Sequence, residues 1–92
     1  MPRVVVTAEV ENLEKWEEGF RTHGDLFRQM GVSRMEFATG AGNRVAIAGE
    51  TTDLDAYMKV LASSATAEAM ASDGVKRETV QVFVLEIGRA HV

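Results

Sequence analysis

Val82, Phe83, Val84 and Leu85 follow one another without a polar residue, and in an extended chain successive side chains point to opposite faces. A strand built from them is apolar on both sides and needs cover on both. The 92 residues make one small domain, residues 1–92, which buries about 60–65% of the surface its unfolded chain exposes, so its core is thin. Cysteine is absent, which removes a disulfide framework, a Cys-based zinc site, an iron–sulfur cluster and thiol catalysis together. With 46% hydrophobic and 26% charged residues, the composition is that of a globular protein held by packing.

The stretch from Arg3 to Val10 carries Val4, Val5, Val6 and Val10, a β-branched concentration that predicts the first strand. Asn12 is a suitable helix cap, Glu14 lies in the first turn where the helix dipole favours an anion, and apolar residues recur at Leu13, Trp16, Phe20 and Phe27. This predicts one amphipathic helix of roughly five turns, closing at Met30-Gly31. Val32 to Thr39 and Arg44 to Glu50 alternate as strands, and Gly40-Ala41-Gly42-Asn43 between them supplies the positive-φ residues of a tight antiparallel hairpin.

Thr52-Asp53-Leu54-Asp55 starts a second helix with Leu54, Tyr57, Met58 and Leu61 on its apolar side. Ser63-Ser64 interrupts it and caps a further Ala-rich turn or two through Met70, which Asp73-Gly74 ends. Val80 to Ile87 is the last strand. The order β, α, β-hairpin, α, β predicts an α+β fold of the ferredoxin-like βαββαβ type, an antiparallel sheet with both helices on one face.

Two helices cover only one face of such a sheet. The other face is predicted to present Val5, Ala38, Ala46 and Ala48 with half of the run Val82 to Leu85. Leaving four apolar side chains exposed, at about 1.5 kcal/mol each, forgoes an amount comparable with the stability of a small domain. A second copy of the chain is the simplest cover, so a homodimer is expected, the alternative being a sheet face shielded by the tails.

The segment from Met1 meets a charge at Arg3 and again at Glu9, too soon for a signal peptide or a spanning helix, so a cytoplasmic protein without a membrane is expected. A net charge of -4 with scattered basic residues points away from nucleic acid and from anionic membranes. Gly40-Ala41-Gly42 lacks the third glycine and the following helix of a phosphate loop. His23 and His91 have no metal-ligand spacing, so no metal is expected.

His23 falls beside the apolar stripe of the first helix, near Trp16, Phe20 and Phe27. It is the candidate catalytic base at the edge of a cavity between helix and sheet, or else a partly exposed helix residue or a histidine at the border of the core with a backbone partner. Trp16, Phe20 and Phe27, with Tyr57 and Met70 from the second helical region, are the candidate walls for a small apolar ligand; the same spacing also describes plain core. Gly19 and Gly24 cost about 1 kcal/mol each relative to alanine in a helix, which close packing or room for a ligand would explain.

The layout resembles the dimeric α+β barrel superfamily and, within it, the small antibiotic-biosynthesis-monooxygenase-like proteins. The likeness rests on the Val-rich first strand, Trp16 early in the first helix, Gly31-Val32 leading into the hairpin, and Tyr57 through Met70 ahead of the last strand. It implies two sheets packed face to face as a dimeric barrel. It also implies cofactor-independent monooxygenases, haem-degrading enzymes or lactone isomerases as relatives. Many of these carry an aromatic residue, then His-Leu, a small residue, Ser-Pro and His. Here Tyr57 is the aromatic, but Val60 precedes Leu61 and Ser63-Ser64-Ala65 brings neither proline nor histidine, a departure that counts against haem ligation and the usual monooxygenase assignment alike, so no residue of those families' catalytic sets carries over.

The expectation is therefore a small-molecule-binding homodimer without cofactors, acting on an apolar aromatic or polyketide-like compound as a monooxygenase, or as an isomerase. In the oxygenase a base, His23, forms a carbanion or phenolate that itself reacts with dioxygen. The alternative is a noncatalytic ligand-binding or interaction module.

Overall fold

The computed structural model describes residues 2–86. The Val-rich opening forms β1 (Pro2–Val10), in which Val4, Val6, Ala8 and Val10 alternate into the core. There follow α1 (Leu13–Phe20), α2 (Gly24–Gln29), β2 (Val32–Gly40), β3 (Arg44–Thr51), α3 (Leu54–Leu61), α4 (Ser64–Ser72) and β4 (Val75–Glu86). The strands make one antiparallel sheet in the order β2-β3-β1-β4. This is the predicted ferredoxin-like α+β arrangement, with each helical unit divided in two. Among the described residues no helix is long and apolar enough to cross a membrane.

Local chemistry explains most of the boundaries. The hairpin turns through Gly42 (φ 72°) and Asn43 (φ 57°), both in the left-handed region that these residue types tolerate. Asn12, Asp53 and Ser63 each accept a backbone N–H three residues on, at Lys15, Ala56 and Thr66, and so start α1, α3 and α4. The interruption at Ser63 lies where the sequence places it.

Two boundaries differ from the sequence reading. The predicted five-turn helix is two short helices, because Thr22 Oγ1 donates to the Gly19 carbonyl at 2.7 Å and the His23 N–H turns to Phe20 O at 3.2 Å, tightening and ending the turn. The last strand begins at Val75 and not at Val80. Its pairing jumps from Thr7↔Gln81 to Glu9↔Lys76, so residues 77–80 form a bulge. Thr79 closes the gap, its Oγ1 accepting Glu9 N–H at 2.8 Å and donating to Lys76 O at 2.6 Å. Ile87 and His91 lie outside the described residues.

Helices and sheet enclose two adjoining clusters, one around Val4, Val6, Met30 and Tyr57 and the other around Ala8, Val10, Trp16 and Val45. Fully buried Thr51 joins the end of the α2 segment to the start of α3. Its Oγ1 lies 3.1 Å from Met30 O and accepts Asp53 N–H at 3.1 Å. On the opposite sheet face the register sets Val5 between Phe83 and Ala48, and Thr7 beside Ala46. Among the described residues no helix covers this face, and Phe83 and Leu85 are 51% and 55% exposed.

Candidate functional site

The aromatic residues of the sequence converge. Trp16 stacks on Phe20 at 5.1 Å between ring centres, Phe20 meets Phe27 at 4.9 Å, and Phe37 of β2 closes edge-on against Trp16 at 5.5 Å. Such tilted and offset rings are favourable beyond their buried area, and the group forms a continuous aromatic wall. Beside it, between the helices and the sheet, lies a cavity of about 90 Å³. Trp16, Phe20, His23, Phe27, Tyr57 and Met70, the six residues singled out in the sequence, all border it.

The break between α1 and α2 places His23. It stands at the N-cap of α2 without capping the helix through its side chain, since its ring points elsewhere. His23 Nε2 lies 2.9 Å from Oδ2 of Asp73, the residue that ends α4 fifty positions on. Asp73 is 7% exposed and also borders the cavity. An ionised carboxylate only accepts, so with neutral His23 it is Nε2 that carries the hydrogen. Nδ1 makes no hydrogen bond to a described residue and is left as the basic nitrogen.

Gly19 explains how the carboxylate reaches this position. A Cβ at residue 19 would collide with the Asp73 carboxylate, so the bare glycine gives Asp73 the space it occupies. The close-packing explanation of this glycine holds. Gly24 has nothing within 4 Å of a built Cβ, and its explanation is not packing. Sequence reasoning missed Asp73 as a site residue, reading it only as part of a helix stop. Fifty intervening residues leave no periodic signal that could have linked it to His23.

Tyr57 supplies the other polar group. It is buried, it borders the cavity, and its hydroxyl makes no hydrogen bond to a described residue. Burial raises its pKa, because the phenolate would lose hydration there. Thr66 also borders the cavity, but its hydroxyl is committed to Val60 O at 2.6 Å. The remaining lining is almost wholly apolar, with Met30, Met35 and Leu61 added to the aromatics. Among the described residues no three His, Cys, Asp or Glu side chains gather as metal ligands would.

No family model and no curated protein matches the sequence. Solved structures do match along nearly the full length. A proposed antibiotic biosynthesis monooxygenase from Bordetella bronchiseptica superposes with a TM-score of 0.74 at 17% identity, over 92% of this chain and 94% of that one. SnoaB, a cofactor-independent oxygenase from Streptomyces nogalater, does so with a TM-score of 0.71 at 19% identity, over 96% and 93%. Protein Atu4242 from Agrobacterium tumefaciens gives 0.66 at 13% identity, over 98% and 96%. At these identities the likeness is one of architecture, and the chain has the α+β fold of the antibiotic-biosynthesis-monooxygenase-like proteins.

Proposed function

We propose that the chain is a small-molecule-binding homodimer that oxygenates an apolar aromatic compound without a cofactor, with His23 as the base. The observation that carries this reading is an imidazole backed by a buried carboxylate at the border of an apolar cavity. An apolar site with a few converging polar groups suits a planar substrate with an acidic position. SnoaB, of the same fold, is a cofactor-independent oxygenase, which supports the reaction class by analogy.

In this reaction His23 Nδ1 takes a proton from an acidic C–H or phenolic O–H, leaving the electron pair delocalised over the ring and its carbonyl. The anion passes one electron to dioxygen, and the resulting superoxide and substrate radical join through a new C–O bond. The imidazolium returns its proton to the peroxide, which loses water as the carbonyl forms. The balance is one CH₂ and one O₂ giving one C=O and one H₂O. The Tyr57 hydroxyl serves as donor to a substrate oxygen in this scheme.

Cavity size narrows the substrate and requires motion. About 90 Å³ is less than the roughly 150 Å³ of a cavity that accepts benzene, so the site as it stands does not hold one ring, still less a polycyclic one. α2 is the element best able to yield, since none of its residues is buried.

A panel of phenols and anthrones, screened first by thermal shift, is the test, followed by oxygen uptake with whichever compound raises the melting point. His23→Ala should cost about 10²–10⁴-fold in turnover while binding changes less. Equal turnover by parent and variant would remove His23 as the base. A compound that binds but is never oxidised would favour the noncatalytic module.

A further inference from the structure

We infer that Asp73 is a positioning residue, holding the ring and tautomer of His23, and that Gly19 exists in α1 to let it do so. Two residues break local rules, and they meet. An anion at a helix C-terminus faces the negative end of the dipole, yet Asp73 stands at the end of α4. Glycine is disfavoured inside a helix, yet Gly19 occupies the last turn of α1. Each is unexplained within its own helix. Together they form one arrangement, because the missing Cβ of Gly19 is the space into which the Asp73 carboxylate fits.

The carboxylate has no structural task that competes with this one. Among the described residues its only side-chain partner is His23, at 2.9 Å, and it is almost wholly buried. A carboxylate withdrawn from water and given one hydrogen bond orients that partner strongly, since rotating the ring would leave it unsatisfied. Departures from local preference that converge on one contact are expected where function has set the geometry. With Nε2–H directed at Asp73, a neutral imidazole has Nδ1 as its free basic atom.

This inference rests on His23 being the base, and its test separates the two. The Nε2 proton of His23, held by an almost wholly buried carboxylate, should give a low-field resonance coupled to its ¹⁵N in the parent protein, assigned by its absence in His23→Ala. Asp73→Asn is isosteric and should lose it. Gly19→Ala should lose it too, because the added methyl displaces the carboxylate without touching either reacting group. Both variants should lower kcat by about 10²-fold or more with KM within a few-fold, the pattern of a base that binds substrate but presents the wrong nitrogen. Retention of the resonance in Asp73→Asn overturns the inference. Loss of the resonance with kcat intact upholds the contact and overturns His23 as the base.

Discussion

Tyr57 is the one tyrosine of the chain, so its ionisation can be followed by ultraviolet absorbance without competition from another phenol. Burial raises its pKa above the usual value of about 10, which means the folded state retains the proton where the unfolded state has released it. The unfolded chain then binds fewer protons, and stability falls with rising pH. Its contribution is complete below pH ~10 and is lost as the pH climbs through the folded-state pKa. The absorbance titration should therefore run later in native protein than in denaturant, and Tyr57→Phe should flatten the alkaline part of the stability profile. A native titration that overlays the denatured one would show the hydroxyl open to water. Burial of Tyr57 is legible in its helical spacing from Leu54 and Leu61, whereas Met58, predicted on the same side, is 39% exposed. The partnership of His23 with Asp73 is not, because it forms only when α4 has packed beside the α1–α2 junction.

Among the elements, strands were more readable than helices. Alternation in β1, β2 and β3 reports a physical demand that every residue shares, to be inside or outside, and the hairpin turn reports the φ of Gly42 and Asn43. The α1–α2 break and the start of β4 depend instead on single side-chain hydrogen bonds from Thr22 and Thr79, which periodicity does not register. The two glycines of the first helical region make the contrast testable. Gly24 opens α2 with open space where a Cβ would go and no need of positive φ. Gly24→Ala should thus raise stability by about 0.4–1 kcal/mol, mainly by narrowing the unfolded ensemble. Urea midpoints with an unchanged m-value are the measurement. Destabilisation by Gly24→Ala would mean that the helix start requires a bare backbone, for instance to let α2 shift over the cavity.

At the scale of the molecule, the helices pack on one side of the sheet, where Val84 alone among the described large hydrophobic strand residues is exposed, at 42%, and leave the other side open. The helix side holds Val4, Val6, Ala8 and Val10 with the cavity, whereas the far side leaves Phe83 and Leu85 half in water beside Val5. Covering each half-exposed side chain is worth about 1 kcal/mol, and a two-fold axis repeats every such contact in the partner. Next to the apolar row, at the Arg3 end of the face, the charges are paired. Arg3 binds Glu36 at 2.7 Å and reaches Glu50 at 3.5 Å, so covering it need not strand an unmatched ion. The proposed dimer accordingly predicts twice the chain mass by light scattering at micromolar concentration and a melting temperature that rises with concentration. Phe83→Glu is the decisive variant. It replaces a ring in the apolar row with a carboxylate, and two-fold symmetry brings both copies of that carboxylate into the covered face, where each would lose hydration without a partner. The substituted chain should be monomeric and should melt lower than the parent dimer, while α1, α2 and the cavity, on the opposite side of the sheet, keep their near-ultraviolet signal from Trp16. A parent protein that is monomeric at the same concentration would remove the barrel, and a Phe83→Glu protein that stays dimeric would place the contact elsewhere on the molecule.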